Sequence, residues 1–417
     1  MTFRSMVFAI LSTICLVLGM DVYAEAPDSL AAVSTSKLNV YFDYSDLDFL
    51  IQALGYVNFV RDPAEADVQI LQSSQATASG GYEYFVRFIG RKEFVGIDDT
   101  LKYFTPPGSS EDHYRNKLLQ TIQLGLVRYL AKAGQGDDLT ISYSQKSEKA
   151  LLIDEWDNWV YKIYCYGYFN GESSRRKQYL YSTISANRIT EDWKILTSVN
   201  GSIDENVYHV EEGTITSKTE SRGVAATVVK SIGDHWSARL DGSITSTSYR
   251  NLDLSTSFSP GVEYNVFPYS ESSSKQLRLQ YEIRHKHFDY HEETIFFRKA
   301  ETRFAQAFTT ELEFVQAWGT SSLDLEFSHY LHDLEKLRLY ADLNLEFRLW
   351  EGLSLEIWVN ASMIRDQLSL PRSGATEEEI LLQRRELQTN YNYYGTFGIS
   401  YTLGSIYSSV VNPRFGD

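Results

Sequence analysis

Histidine and carboxylate side chains occur together at two places in this chain, and this combination can bind a metal. Five of the eight histidines lie there. Imidazole nitrogens and carboxylate oxygens are ligands for borderline metals such as zinc. A polar rim at a membrane surface would have the same composition, so we predict no metal site and no cofactor. The residues concerned are His285, His287, Asp289, His291, Glu292 and Glu293 in the first group, and His329, His332 and Asp333 in the second.

One serine lies next to a histidine in the second group, and this pair is a candidate nucleophile with its base. Ser328 and His329 are adjacent, and adjacent side chains of a strand point to opposite faces of a sheet. A serine nucleophile needs its histidine within hydrogen-bonding distance. The chain is therefore predicted not to be an enzyme.

The elements that would position these residues are strands with an alternating pattern. In residues 391–403, odd positions are mostly aromatic or apolar and even positions include threonine, glycine and serine. About a dozen segments repeat this period of two, which is typical of a transmembrane β-barrel. The predicted strands are 158–169, 177–189, 193–204, 220–231, 235–248, 254–267, 275–288, 302–317, 320–331, 336–349, 353–364 and 391–403.

The polar positions of these segments carry many charges. A charge on the lipid face of a barrel costs roughly 2–4 kcal/mol for Arg or Lys at the membrane midplane, so these faces must point inward. We expect cross-strand ion pairs that fill much of the lumen; the alternative is a narrow, charge-selective pore. The predicted lumen-facing charges are Arg278, Glu282, Arg284, Glu311, Glu313, Asp324, Glu326, Arg338, Asp342, Glu346, Arg348 and Glu356, together with Lys286.

The chain before the barrel divides into four parts. Residues 1–24 have a short basic start, an apolar run and a small-residue cleavage site, which predicts a signal peptide. No other stretch approaches 18 consecutive apolar residues, so a helical membrane protein is excluded. The predicted organisation is a signal peptide (1–24), a linker (25–36), a periplasmic α/β domain (37–134), a second linker (135–155), an outer-membrane barrel (156–404) and a periplasmic tail (405–417).

Within the α/β domain, helical spacing predicts a helix over 46–54 and a long helix that begins at Ser109 or Ser110 and ends near Ala133. Strands are predicted at 38–42, 57–60, 68–71, 82–89, 94–97 and 101–104. The fold class is therefore α+β and multidomain.

Connections of unequal length predict how the barrel is oriented. Short turns fall at 190–192, 232–234, 318–319 and 351–352, and longer connections at 205–219, 289–301 and 365–390. Barrels have short periplasmic turns and long outer loops, which places the N-terminal domain in the periplasm. Residues 377–387 of the longest loop are predicted to form a short helix or a lid over the lumen, or to be a solvated loop.

Four residues of the last strand resemble the C-terminal recognition signal of bacterial outer-membrane proteins. The polar, glycine, aromatic and final apolar positions are matched by Thr396, Gly398, Tyr401 and Leu403. The resemblance implies contact with the barrel-assembly machinery through this strand, and outer-membrane lipids around the barrel. Most such proteins end at this strand, whereas this chain continues.

The barrel as a whole resembles the broad group of uncharacterised outer-membrane barrel proteins, including the salt-induced type, and that resemblance implies no mechanism.

Net charge and cysteine content narrow the range of possible function classes. The net charge is −16 and no basic stripe favours nucleic acid. Cys15 lies in the predicted signal, which leaves Cys165 with no disulfide partner.

Two hypotheses for the function follow. In the first, a non-enzymatic barrel anchors a periplasmic domain that binds a protein partner. In the second, the barrel is a narrow pore or transporter for small solutes.

Overall fold

The computed structural model describes residues 37–42, 47–77, 80–140, 154–210, 213–350, 353–374 and 386–401. The predicted signal peptide (1–24), first linker (25–36) and C-terminal tail (405–417) lie outside the described residues, and the described residues from Leu38 onward belong to one compact unit. This unit contains two sheets, one of five strands and one of twelve strands.

The five-stranded sheet and its helices form what we call the α/β module, residues 38–139. The elements are β1 (Asn39–Phe42), α1 (Leu47–Ala53), β2 (Asn58–Phe59), β3 (Val68–Ala76), β4 (Tyr82–Gly90), β5 (Asp98–Thr105) and α2 (Glu111–Lys132), with single 3-10 turns at Pro63–Glu65, Lys92–Phe94 and Gly136–Asp138. The strands lie in the order β2-β1-β3-β4-β5; β1 is parallel to β2 and β3, and the other pairs are antiparallel. None of the described helices has the length and apolar character needed to cross a membrane.

Helix α2 packs on one face of this sheet, and its start was predictable. The Ser110 side chain accepts a hydrogen bond from the His113 amide at 3.2 Å, which satisfies a free N–H of the first turn. The helix approaches β4 closely because Gly125 has no side chain; an added Cβ would lie 2.1 Å from the Phe88 ring. The predicted strand over 94–97 is wrong. The chain makes a 3-10 turn over Lys92–Phe94 and then reverses at Gly96, whose φ is +85°.

The larger sheet contains twelve strands, each antiparallel to its neighbours and in sequence order from β6 to β17. The prediction of twelve antiparallel strands is confirmed. The strands are β6 (Trp159–Gly171), β7 (Arg175–Ile189), β8 (Trp193–Val210), β9 (Gly213–Ser231), β10 (Trp236–Thr247), β11 (Leu252–Asn265), β12 (Lys275–Tyr290), β13 (Ala300–Gln316), β14 (Gly319–Tyr330), β15 (Asp333–Trp350), β16 (Leu353–Ile364) and β17 (Tyr391–Tyr401).

One predicted long connection, 205–219, is instead a continuation of β8 and β9. The pairing of the two strands continues to Val210 and Gly213. Charged side chains of β7 extend this ladder: Lys177 lies 3.5 Å from Asp204 and Arg176 lies 3.6 Å from Glu205. Cross-strand pairs of opposite charge contribute to strand pairing. The difference in length between the connections at the two ends is therefore smaller than the sequence predicts. The predicted helix over 377–387 lies almost entirely outside the described residues.

The sheet is open where the sequence predicts a closed barrel. Each of β6 and β17 pairs with one neighbour, and no described residue joins the two. Every pair that forms in this sheet connects strands adjacent in the sequence. The closing pair would be the only one between strands far apart in the chain, which is the pair with the largest loop-closure cost.

The strand register gives the large sheet an apolar face and a polar face. Ile163, Ile184, Val199, Val224 and Ile244 are successive partners across five strands, so they share the apolar face. All five are exposed, from 48% for Val224 to 77% for Ile163. The opposite, polar face carries serine, threonine and charged residues. A continuous exposed apolar surface of this kind marks contact with lipid or with another protein.

Candidate binding cavity and the two ends of the polar face

A cavity of about 380 Å³ lies on the polar face, toward the ends of β10 to β12, β14 and β15 farthest from the α/β module. Hydroxyl groups and charges line most of it. The charged lining residues are Arg250, Arg284, Lys286, Glu326, Arg338, Asp366 and Glu386, and the hydroxyl-bearing ones include Ser243, Thr245, Ser255, Ser257, Ser259 and Ser328.

Each arginine of this cavity has a carboxylate beside it. Arg284 Nη1 lies 2.7 Å from Glu326 Oε1, and the same guanidinium also bonds Glu282. Arg338 Nη2 lies 3.0 Å from Asp366 Oδ1. Arg250 Nε lies 3.7 Å from Glu386 Oε2. These pairs neutralise three of the four cations, as half-buried charges require.

Lys286 is the fourth cation, and it has no such partner. Among the described residues, no carboxylate oxygen lies within 4.0 Å of its Nζ and no hydrogen bond reaches it; the Tyr330 ring is 5.9 Å away. Its partners across the ladder are Ser257 and Arg303. The lining itself contains four cationic side chains and three carboxylates, and Glu282, which bonds Arg284 from outside the lining, is a fourth carboxylate close to it.

Residues 365–374, which we call the closing segment, cover this end of the polar face. Asn251 links the segment to the connection between β12 and β13: its Nδ2 donates to the Ser369 carbonyl, within the segment, at 2.9 Å and to the Glu292 carbonyl, outside it, at 3.1 Å. Arg372 Nη1 lies 2.8 Å from Glu293 Oε2. Leu368 is buried in a small apolar cluster with residues that include Leu252, Phe288, Tyr290 and Tyr330.

The α/β module covers the other end, where the short turns lie. Gln69, fully buried, donates from Nε2 to the Ala317 carbonyl at 3.0 Å and accepts from Arg91 at 2.6 Å. Arg87 donates to Gln316 at 3.3 Å. Gln69 and Arg87 lie on the sheet face opposite the helices. The module therefore contacts the turns with its second sheet face, and a cavity of about 320 Å³ remains between them.

The register places all twelve predicted charges on one face, the polar face. Arg278 pairs with Glu311 across β12 and β13, and Arg284 reaches Glu326 two strands away. Asp324 is different: its ladder partners are Glu311 and Asp342, and no cation lies within 4.0 Å of it among the described residues. Glu346 also stands opposite a carboxylate, Glu356, but Arg348 Nη2 lies 3.6 Å from Glu346 Oε1. That ion pairs fill the lumen stays a prediction.

The predicted recognition signal lies in β17 as far as the structure describes it. Thr396 and Gly398 share the polar face, because their partners are Trp358 and Glu356. Tyr401 lies on the apolar face and is 62% exposed. Leu403 lies outside the described residues.

The histidines do not converge. His287 Nε2 is 3.4 Å from Asp289 and His291 Nδ1 is 3.2 Å from Asp253, while His329 Nε2 contacts Gln306 at 2.7 Å. In the described part of the chain, no group of three or more His, Cys, Asp or Glu side chains could hold a metal. Ser328 and His329 lie on opposite faces, as the alternation predicts.

Two features of this site were not predicted from the sequence, namely the role of Asn251 and the row of serines on β11. Asn251 has a φ of +56°, and Asn tolerates that conformation better than most residues. The serines of β11 at positions 255, 257 and 259 alternate strictly, and that spacing could have placed them together on the polar face. The role of Asn251 had no signal, because its partners are 41 and 118 residues away.

The sequence matches no family model and no curated protein. Among solved structures, one that matches is a porin, NanC, in a rhombohedral crystal form. It is 12% identical, with a TM-score of 0.27, over 58% of this chain and 99% of the porin chain. A similarity of this size does not establish a shared fold.

Proposed function

We propose that the protein is a non-enzymatic β-barrel of the bacterial outer membrane that carries the α/β module on its periplasmic end. The observation that carries this proposal is the two-faced register of the twelve strands. Each strand has 11 to 19 residues, and about 9 to 11 suffice for a tilted strand to cross a bilayer. An apolar face that is exposed in water becomes favourable against lipid.

Closure of the barrel requires β6 to pair with β17. Both are edge strands of similar length, 13 and 11 residues. Both show large apolar side chains on the apolar face, with Phe169 at 88% and Phe397 at 74% exposure. An exposed edge of this kind is a site of aggregation in a soluble sheet, and pairing the two edges removes it.

The barrel is further proposed to be closed at both ends in this conformation. The closing segment lies at one end, and the module lies at the other. The contacts of Gln69 and Arg87 fix the module to the turns, so its helices remain available to a periplasmic protein partner. We propose no nucleic-acid partner. The apolar face contacts outer-membrane lipids, and the last strand engages the barrel-assembly machinery.

Planar-bilayer recording tests this proposal. The unaltered mature protein should insert and show no steady conductance. A variant that combines Asn251→Ala with deletion of residues 38–134 should conduct, because both ends are then uncovered, and each single change should have a smaller effect. Steady conductance from the unaltered protein would instead support the second candidate, a narrow charge-lined pore for small solutes, which the 380 Å³ cavity favours.

A further inference from the structure

We propose that the cavity beneath the closing segment binds a small hydroxylated monocarboxylate through Lys286. The inference goes beyond the function proposed above, because it concerns a ligand site on the polar face. It does not depend on whether the two edge strands pair.

The charge of the cavity favours one anionic group. Its three arginines are already matched by Glu326, Asp366 and Glu386, so among the described lining residues Lys286 is the one cation without a carboxylate within 4.0 Å. A lysine has three donors on one compact charge and does not require a planar, bidentate ligand. One unpaired cation matches one negative charge, so a monoanion fits best.

The cavity walls favour hydroxyl groups on the rest of the ligand. Ser255, Ser257 and Ser259 are two residues apart on β11 and therefore line one face. Ser257 and Ser259 contact each other through their hydroxyls at 3.3 Å. A serine hydroxyl both donates and accepts, so this row can match a chain of alcohol groups. An apolar ligand would leave these groups unpaired.

The size of the cavity limits the ligand to a small molecule. Its volume of about 380 Å³ is at the lower end of the usual range for ligand pockets, roughly 300–1,000 Å³. The closing segment covers the cavity through Leu368 and Ser369, so binding requires this segment to move or the ligand to arrive along the polar face.

Isothermal titration calorimetry of the full mature chain in detergent tests the proposal, with gluconate as the probe. Sorbitol is the matched neutral ligand, since it replaces the carboxylate by an alcohol. Gluconate should bind with one site per chain, and sorbitol should bind at least tenfold more weakly. Absence of gluconate binding, or equal binding of both compounds, would overturn the proposal.

Variants locate the site. Lys286→Met should weaken gluconate binding by roughly 10- to 100-fold, as expected for a lost hydrogen bond to a charged group, and Lys286→Arg should retain most of it. Lys230→Met changes the net charge equally at the opposite end of the sheet, where Lys230 lies 3.5 Å from Asp192, and should bind like the unaltered chain. Equal losses in Lys286→Met and Lys230→Met would contradict the proposal. If Lys286→Met does not fold, Lys286→Gln replaces it in the same comparison.

Discussion

Asn251 is the residue whose removal should free the closing segment. Its side chain makes three hydrogen bonds: Nδ2 donates to the Ser369 and Glu292 carbonyls at 2.9 and 3.1 Å, and Oδ1 accepts from the Glu292 amide at 2.7 Å. At about 0.5–1.5 kcal/mol each, their loss costs roughly 2–4 kcal/mol. Alanine at the φ of +56° adds about 1–2 kcal/mol of backbone strain.

Hydrogen–deuterium exchange measures this effect where it should occur. The Arg372 amide donates to the Glu293 carbonyl at 2.7 Å and the Ile295 amide to the Leu370 carbonyl at 2.9 Å. In Asn251→Ala, both amides should exchange at least thirtyfold faster if the segment opens locally, since about 2 kcal/mol corresponds to that factor.

Asn251→Gly is the matched control, because glycine removes the same hydrogen bonds but tolerates a positive φ. The difference between the alanine and glycine variants isolates the strain. Unchanged exchange at Arg372 and Ile295 in both variants would refute the assignment of Asn251 as the anchor. An equal acceleration across β3 of the distant α/β module would show that the effect is global unfolding rather than release of the segment.

Three further predictions concern the α/β module. Gly125→Ala places a Cβ 2.1 Å from the Phe88 ring and should destabilise the module by about 1–3 kcal/mol; an unchanged denaturant midpoint of the module would contradict the packing. Burial raises the pKa of Tyr129 to about 12, so its contribution to stability is present below pH 10 and lost as pH rises from about 10 to 12. Tyr129→Phe should flatten this part of the stability profile, and a profile identical to that of the unaltered chain would exclude Tyr129 as its cause. Gln69→Leu removes the hydrogen bond to the Ala317 carbonyl and should raise hydrogen exchange in Val68–Ala76; unchanged exchange would show that the module is held by its other contacts.

Much of the large sheet could be predicted from the period-two alternation. Every strand has this pattern because one of its faces is apolar and the other is polar. Leu337 and Leu339 flank Arg338 in the sequence, and the register places the two leucines on one face of the sheet and the arginine on the other. Whether a segment forms a strand, and which of its side chains share a face, therefore depends on the local sequence. The start of α2 is equally local, since it depends on the Ser110 side chain and the first turn.

The parts that could not be predicted depend on contacts between distant residues. The extension of β8 and β9 through 205–219 is largely polar, and its pairing is supported by the partners Arg176 and Lys177 on β7 and by the buried Val207. The sequence does not show that Lys286 lacks a carboxylate partner, because this depends on which carboxylates pair with the three arginines in the folded chain. Docking of the module through Gln69 likewise joins residues 248 positions apart.

Pairing of β6 with β17, which would close the barrel, can be tested through Cys165. Cys165 is the seventh of the 13 residues of β6 and lies on the apolar face with Ser182 as its partner. The middle of β17 is Thr396, which points to the polar face; its neighbours Gly395 and Phe397 point to the apolar face. Facing residues of paired antiparallel strands have Cα atoms about 4.5–5.5 Å apart, within disulfide reach.

The measurement is oxidative cross-linking in native outer membranes, read as a mobility shift on non-reducing gels, with Cys introduced at one β17 position at a time. If the sheet closes, Gly395→Cys or Phe397→Cys should form a disulfide with Cys165, and Thr396→Cys should not. Failure of both outward variants to cross-link, in protein shown to be inserted, would contradict closure of the sheet between β6 and β17.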